Sequence, residues 1–187
     1  MPCRQLTPAR CAPVTDLFDE SSPCGAVHTR HKNETGVRAA RAFLKMAYGR
    51  SVSWSGPLPA SIQAISPHLV AIDFTPAHGI AFVAVPGQTT QNHTNFEVTL
   101  DPELKVGWAS STATLNNGTS RVLVNATGGG GAIAGVRYAW PSVPHGALLF
   151  DGEGLPAPPF LARCGAAVEA GGCELVEGGA VPTNTDE

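Results

Sequence analysis

The sequence predicts a mainly β protein with a single helix near its start, and three observations predict it. Charged residues make up only 14% of the 187-residue chain, against 21 Gly and 16 Pro, a balance that suits a turn-dense β globule better than a helical bundle. One early stretch carries apolar residues at helical spacing. Everything after it breaks into short apolar segments separated by Pro, Gly and Asn, the pattern of a sandwich or barrel. The length accommodates one domain, or a short segment joined to one small domain.

Residues 1–13 are rich in Pro, Cys and Arg without periodicity and read as an irregular leader. Val14 to Phe18 is short and apolar, a strand end by pattern. Residues 19–28 form a loop in which Pro23 and Gly25 supply turns. The spacing predicts a helix from about Thr29 to Tyr48, with Val37, Ala40, Phe43, Leu44, Ala47 and Tyr48 in one apolar stripe. Arg38, Arg41 and Lys45 fall on another face and are expected in solvent, and Gly49 stands where a left-handed stop ends a helix. Seven strands are then expected, at Ser51–Ser55, Leu69–Phe74, Ile80–Val85, Phe96–Leu100, Arg121–Val124, Val136–Trp140 and Ala147–Phe150. Leu155 to Phe160 reads as an extended strap. Gly128–Gly131 has no Lys after it and reads as a turn rather than a phosphate loop. The Gly- and Glu-rich segment 163–187 reads as a flexible tail.

A net charge of -3 gives no basic footprint, so no nucleic acid partner is expected. No apolar run approaches the roughly 20 residues of a membrane span, so no membrane partner is expected and the segment reads as soluble. MPCRQLTPARCAPVTDLF shows no apolar core of a signal peptide. Cys3, Cys11, Cys24, Cys164 and Cys173 are an odd set. Cys164 and Cys173 are close enough in sequence to bridge in an oxidising compartment, and free thiols fit equally well. Asn33, Asn92, Asn117 and Asn125 each begin an N-x-[ST] sequon, against about one expected by chance. That excess favours a secreted or lysosomal chain.

Three blocks together carry a family resemblance. The first is Asp16-Leu17-Phe18-Asp19 with Ser22-Pro23-Cys24-Gly25-Ala26-Val27-His28, leading into the helix that ends Ala47-Tyr48-Gly49. The second is Gly56-Pro57-Leu58-Pro59. The third joins Val136-Arg137-Tyr138-Ala139-Trp140 to Leu155-Pro156-Ala157-Pro158-Pro159-Phe160. In order and spacing they resemble the C-terminal portion of the sialate O-acetylesterase family of SGNH-type serine hydrolases. The resemblance implies that residues 14–49 are the end of a flavodoxin-like α/β domain, with the catalytic histidine loop and the last helix. It implies a β-sandwich-like domain at 51–162. The serine of that family lies in a glycine-rich block on the upstream part of the α/β domain, and no Gly-x-Ser-x-Gly block occurs here. Ser53 and Ser55 lie after the helix, the wrong setting for it.

The implied chemistry is hydrolysis of O-acetyl esters on sugars, sialic acids being the family's substrate class, with no cofactor. A serine needs an adjacent base, and an imidazole then returns the proton to the leaving alcohol. His28 matches the family histidine. Many SGNH enzymes place Asp three residues before the histidine, but Gly25 stands there. Asp19 and Asp16 are the nearest upstream carboxylates, and Asp19 is the candidate to orient the ring. A backbone carbonyl in that role is the alternative. Cys24, His28 and His31 suggest a metal cluster but lack the fourth ligand of a structural zinc. Tyr138, Trp140 and Phe160 suggest a sugar-stacking platform, but alternation puts Tyr138 and Trp140 on the same face of a strand, where aromatic residues are more often core. The competing reading of the whole is a non-catalytic β-sandwich module that binds carbohydrate or a partner.

Overall fold

The computed structural model describes residues 14–26, 28–75, 79–84, 93–116, 118–127, 130–141, 143–165 and 171–176. Cys3, Cys11, Asn92, Asn117, Gly128, Gly129 and the stretches 1–13 and 177–187 lie outside them. The order is α1 (Lys32–Tyr48), β1 (Leu58–Ser66), β2 (Leu69–Thr75), β3 (Ala81–Ala84), β4 (Phe96–Thr99) and β5 (Ala109–Ser110). Then follow β6 (Thr112–Leu115), β7 (Arg121–Asn125), β8 (Gly135–Tyr138), β9 (Ala147–Phe150), β10 (Phe160–Cys164) and β11 (Cys173–Leu175). The fold is mainly β with one helix, as the composition and periodicity predict.

Two antiparallel sheets enclose the core. One runs β1-β2-β7-β6 and the other β11-β10-β8-β4-β5, with β3-β9 as a separate ribbon. Alternation sets the inward side chains. Val70 and Ile72 of β2 lie opposite Val124 and Val122 of β7, and all four are buried. Across from them sit Phe96, Val136, Tyr138, Phe160 and Ala162. Aromatic rings join the layers: Phe160 meets Phe74 at 6.2 Å edge-on and stacks on Tyr138 at 5.8 Å. Such contacts add about 1 kcal/mol each beyond burial. The Leu149 N–H donates to the Tyr138 phenol oxygen at 2.7 Å, and burial pushes that phenol up from its ordinary pKa. A bridge between Gln63 and Gly172 draws the β1 and β11 edges together.

Several expectations change here. Ser51–Ser55 is irregular, and the first strand is β1, seven residues further on. Its pattern is weak because it is an edge strand with only Ile62 fully buried and Pro59 near its start, a position that proline tolerates. Val14–Phe18 is a turn closed by the Leu17 N–H donating to the Val14 carbonyl, and Phe18 packs against the main core. The stretch that composition marks as loose from 163 onward begins inside β10 and returns as β11, with Cys164 opposite Cys173 and joined to it by a disulfide. Trp140 leaves the face of Tyr138 because Ala139 takes a left-handed φ of 48°. The turned backbone puts the Trp140 ring 5.7 Å from the Arg137 guanidinium, which lies 4.3 Å from Trp108.

The strap from Leu155 to Phe160 lies across the sandwich, buried from Leu155 to Pro158. Its Ala157 N–H donates to the Leu149 carbonyl. Gly56 packs directly on the Leu155 and Pro156 backbone, where any Cβ would clash. Two of the resemblance blocks therefore touch, and the glycine is there because the approach leaves no room for a side chain.

The helix reverses its expected orientation. Arg38 and Ala42 are buried, while Val37, Ala40, Phe43, Leu44, Ala47 and Tyr48 are all exposed. Arg38 is drawn inward by Asp16, whose two oxygens accept from Nη1 and Nη2 at 2.5 and 2.8 Å. Both partners are largely buried, so the pairing offsets the desolvation of the two charges. The helix begins at Lys32 rather than Thr29, because the His31 N–H turns back to Thr29 Oγ1 at 3.0 Å. It ends at Gly49 as expected, with φ at 60° and the Gly49 N–H donating to the Lys45 carbonyl.

Candidate active-site loop

Residues 19–28 close on themselves through consecutive tight turns. Ser22 N–H donates to the Asp19 carbonyl, Gly25 N–H to Ser22 and His28 N–H to Gly25, at 2.9, 3.1 and 2.9 Å. Asp19 N–H donates to the Ala26 carbonyl at 2.9 Å and ties the two ends. Gly25 makes this path possible by adopting φ 95°, which residues with a Cβ avoid. Ser22 Oγ–H donates to the His28 carbonyl at 2.7 Å and accepts from Cys24 N–H at 3.4 Å. His28 is thus fixed at its backbone N–H and carbonyl, yet its side chain is exposed. No described residue hydrogen-bonds its ring.

The structure places Asp19 and His28 on the same loop but does not join them. Asp19 is only 7% exposed. Its Oδ2 accepts from Arg30 Nε at 2.6 Å and its Oδ1 from Arg30 Nη2 at 2.9 Å. Ser21 Oγ–H and the Arg30 backbone N–H complete the set at 2.9 and 3.3 Å. The Arg30 hydrogen bonds hold this carboxyl well below the usual carboxylate range, outweighing the burial that opposes them, and Arg30 is raised in turn. The bidentate fork is the strong geometry for such a pair. It clamps residue 19 to residue 30 and sets the base of the loop that carries His28. Asp16 is engaged by Arg38 in the same manner, so both candidate carboxylates serve arginines. Arg30 was not legible as part of this loop, since neither periodicity nor a motif connects it to Asp19.

His31 is exposed at the start of α1. Cys24 is an exposed free thiol, and no group of three His, Cys, Asp or Glu is set to hold a metal ion among the described residues. Tyr138 and Phe160 are core residues, which leaves Trp140 of the aromatic trio half exposed. Ser53 Oγ–H donates to Glu153 at 2.7 Å, and Glu153 also meets Arg41 at 3.5 Å. With Lys45, Ser51 and Val52 these residues line a polar cleft at the far end of α1. A helix rises about 1.5 Å per residue, so Arg41 and Lys45 of that cleft stand roughly 14–20 Å along α1 from its start at Lys32, the end that follows the His28 loop.

No family model matches the chain. Human sialate O-acetylesterase is 28% identical to it over 157 residues, 81% of this chain and 28% of that protein. The mouse enzyme of the same name is 25% identical over 158 residues, with the same coverage. A solved carbohydrate acetylesterase from Xanthomonas citri superposes with a TM-score of 0.57 at 22% identity, covering 78% of this chain and 30% of that one. The latter is a likeness of fold. The chain spans 28% of the length of the curated relatives it matches. Among the described residues, no helix is long and apolar enough to cross a membrane.

Proposed function

We propose, for a chain related to the sialate O-acetylesterases over most of its length, that it supplies the histidine half of a carbohydrate O-acetylesterase. In this reading residues 14–49 are the end of an α/β hydrolase domain and the serine comes from polypeptide outside these 187 residues. The observation that carries it is the pairing of a backbone-fixed, solvent-open His28 with an apolar helix face that the described residues leave exposed. Both features are what remains visible when a partner surface is not present. Ser22, the nearest serine in sequence, is committed to the His28 carbonyl, so in this reading the nucleophile comes from elsewhere.

In the completed site, His28 takes the serine proton as the hydroxyl attacks the acetyl carbonyl. It then donates a proton to the departing sugar oxygen, and water repeats the sequence on the acetyl-serine. Asp19 acts as a positioning residue through Arg30, and a backbone carbonyl or solvent orients the ring. The substrate class is an O-acetylated sugar such as a sialic acid, in a secreted or lysosomal setting.

The test is hydrolysis of an O-acetylated sialoside by the complete protein and by this chain alone. The chain alone is expected to match background, because removing a nucleophile removes most of the catalytic effect. In the complete protein His28→Ala lowers kcat by several orders of magnitude, Asp19→Asn much less, and His31→Ala leaves it near wild type. Loss with His31→Ala and none with His28→Ala would shift the assignment by one helical turn. An equal loss with Asp19→Asn and His28→Ala would restore Asp19 as the direct partner.

A further inference from the structure

We infer that Asn125 is an N-glycan acceptor, and that Asn33, although it begins an equally good sequon, is not one in the complete protein. Two independent observations carry the first half. The side chains of Asn125 and Thr127 are both exposed at the end of β7. The Asn125 backbone pairs with Leu69 and Thr112 at the last position of β7, and its side chain, on the opposite alternation from the buried Val122 and Val124, is exposed. The second observation is the bridge between Cys164 and Cys173. It joins directly opposed residues of β10 and β11, with Cys164 buried. Disulfides form and persist in oxidising compartments, and sequons of chains that traverse the eukaryotic secretory route are the ones modified.

The modification is a glycosyl transfer from a lipid pyrophosphate-linked oligosaccharide. The Asn125 amide nitrogen attacks the anomeric carbon, the bond from that carbon to the pyrophosphate oxygen breaks, and lipid pyrophosphate leaves. The nitrogen gives its proton to the transferase base. In the folded product the sugar stands on open surface, and the Thr127 hydroxyl, which donates to the Ser110 carbonyl at 3.2 Å, keeps its bond.

The second half rests on the docking reading proposed above. On a helix Asn33 shares the line of Val37, Ala40 and Leu44 at steps of four, seven and eleven residues, and all are exposed. A bulky hydrophilic glycan on that line would occupy the first turn of the very face that a partner domain covers.

The experiment expresses the chain and the complete protein through the secretory route of a glycosylating eukaryotic cell. Non-reducing peptide mapping reports the Cys164–Cys173 bridge, and amidase release of the glycan reports each occupied asparagine by its conversion to aspartate. The expected result is a glycan at Asn125, lost in Asn125→Gln and Thr127→Ala and retained in Thr127→Ser. An unmodified Asn125 in protein whose bridge has formed overturns the assignment. In the complete protein Asn33 is expected unmodified. A glycan at Asn33 in active, folded enzyme overturns the second half and the docking reading with it, and leaves Asn125 standing.

Discussion

Phe43 and Tyr48 provide the sharpest test of why α1 presents its apolar face to solvent. They are 59% and 66% exposed and touch each other edge-on at 5.5 Å. Changing both to Ser leaves helix propensity nearly unchanged, since Phe, Tyr and Ser rank together. In this chain alone the loss is the pair contact, worth at most about 1 kcal/mol at an open surface, together with the partial cover each side chain already has. In the complete protein the same side chains are expected beneath a partner domain. Full burial of a large apolar side chain is worth about 1.5–3 kcal/mol, and somewhat over half of each ring remains to be covered. The double substitution should therefore cost about 2–4 kcal/mol more there than in this chain alone, or roughly 30- to 1000-fold in the equilibrium constant for domain docking. Urea unfolding of both proteins, with the midpoint and slope fitted together, measures the two costs. Equal costs in the two settings would refute the reasoning and make the exposed stripe a property of the finished surface.

Tyr138→Phe keeps the ring stack but strands the buried Leu149 N–H, which now donates to the phenol at 2.7 Å. The expected loss is about 1–3 kcal/mol, seen as a lower urea midpoint, and an unchanged midpoint would show that the N–H finds another acceptor. Gly56→Ala forces a Cβ into the Leu155–Pro156 backbone and should destabilise the sandwich by more than the usual range of about 0.5–3 kcal/mol for point changes, checked by thermal melting. Asp19 has a folded pKa held down by Arg30, so its contribution is complete above the unfolded carboxyl value of about 3.9 and drains as pH falls below it. Asp19→Asn should abolish that part of the acid sensitivity. Amide exchange at Ser22, Gly25 and His28 as pH falls below about 4 is the measurement, and identical profiles in the two proteins would remove Asp19 as the clamp.

The sequence alone determined what depends on local pattern. The helix and its Gly49 stop, six of the strands and the extended strap were legible because residue spacing and turn chemistry act within a few residues. His28 is singled out by a resemblance, not by spacing. Which face of α1 turns inward was not legible, because a bidentate pair to Asp16, 22 residues away from Arg38, outweighs an apolar stripe that the described residues leave exposed. Asp19 looked free to serve His28, and only the folded loop brought Arg30 onto both its oxygens. Trp140 was placed on the wrong face for a reason of one residue: the left-handed turn at Ala139 inverts the alternation that sequence reasoning assumes. The Cys164–Cys173 bridge stayed open in the sequence since two nearby thiols fit either state, and β-pairing decided it by setting them directly opposite. Periodicity reports which residues share a face. Only tertiary contact reports which face wins, because that choice is made by partners distant along the chain.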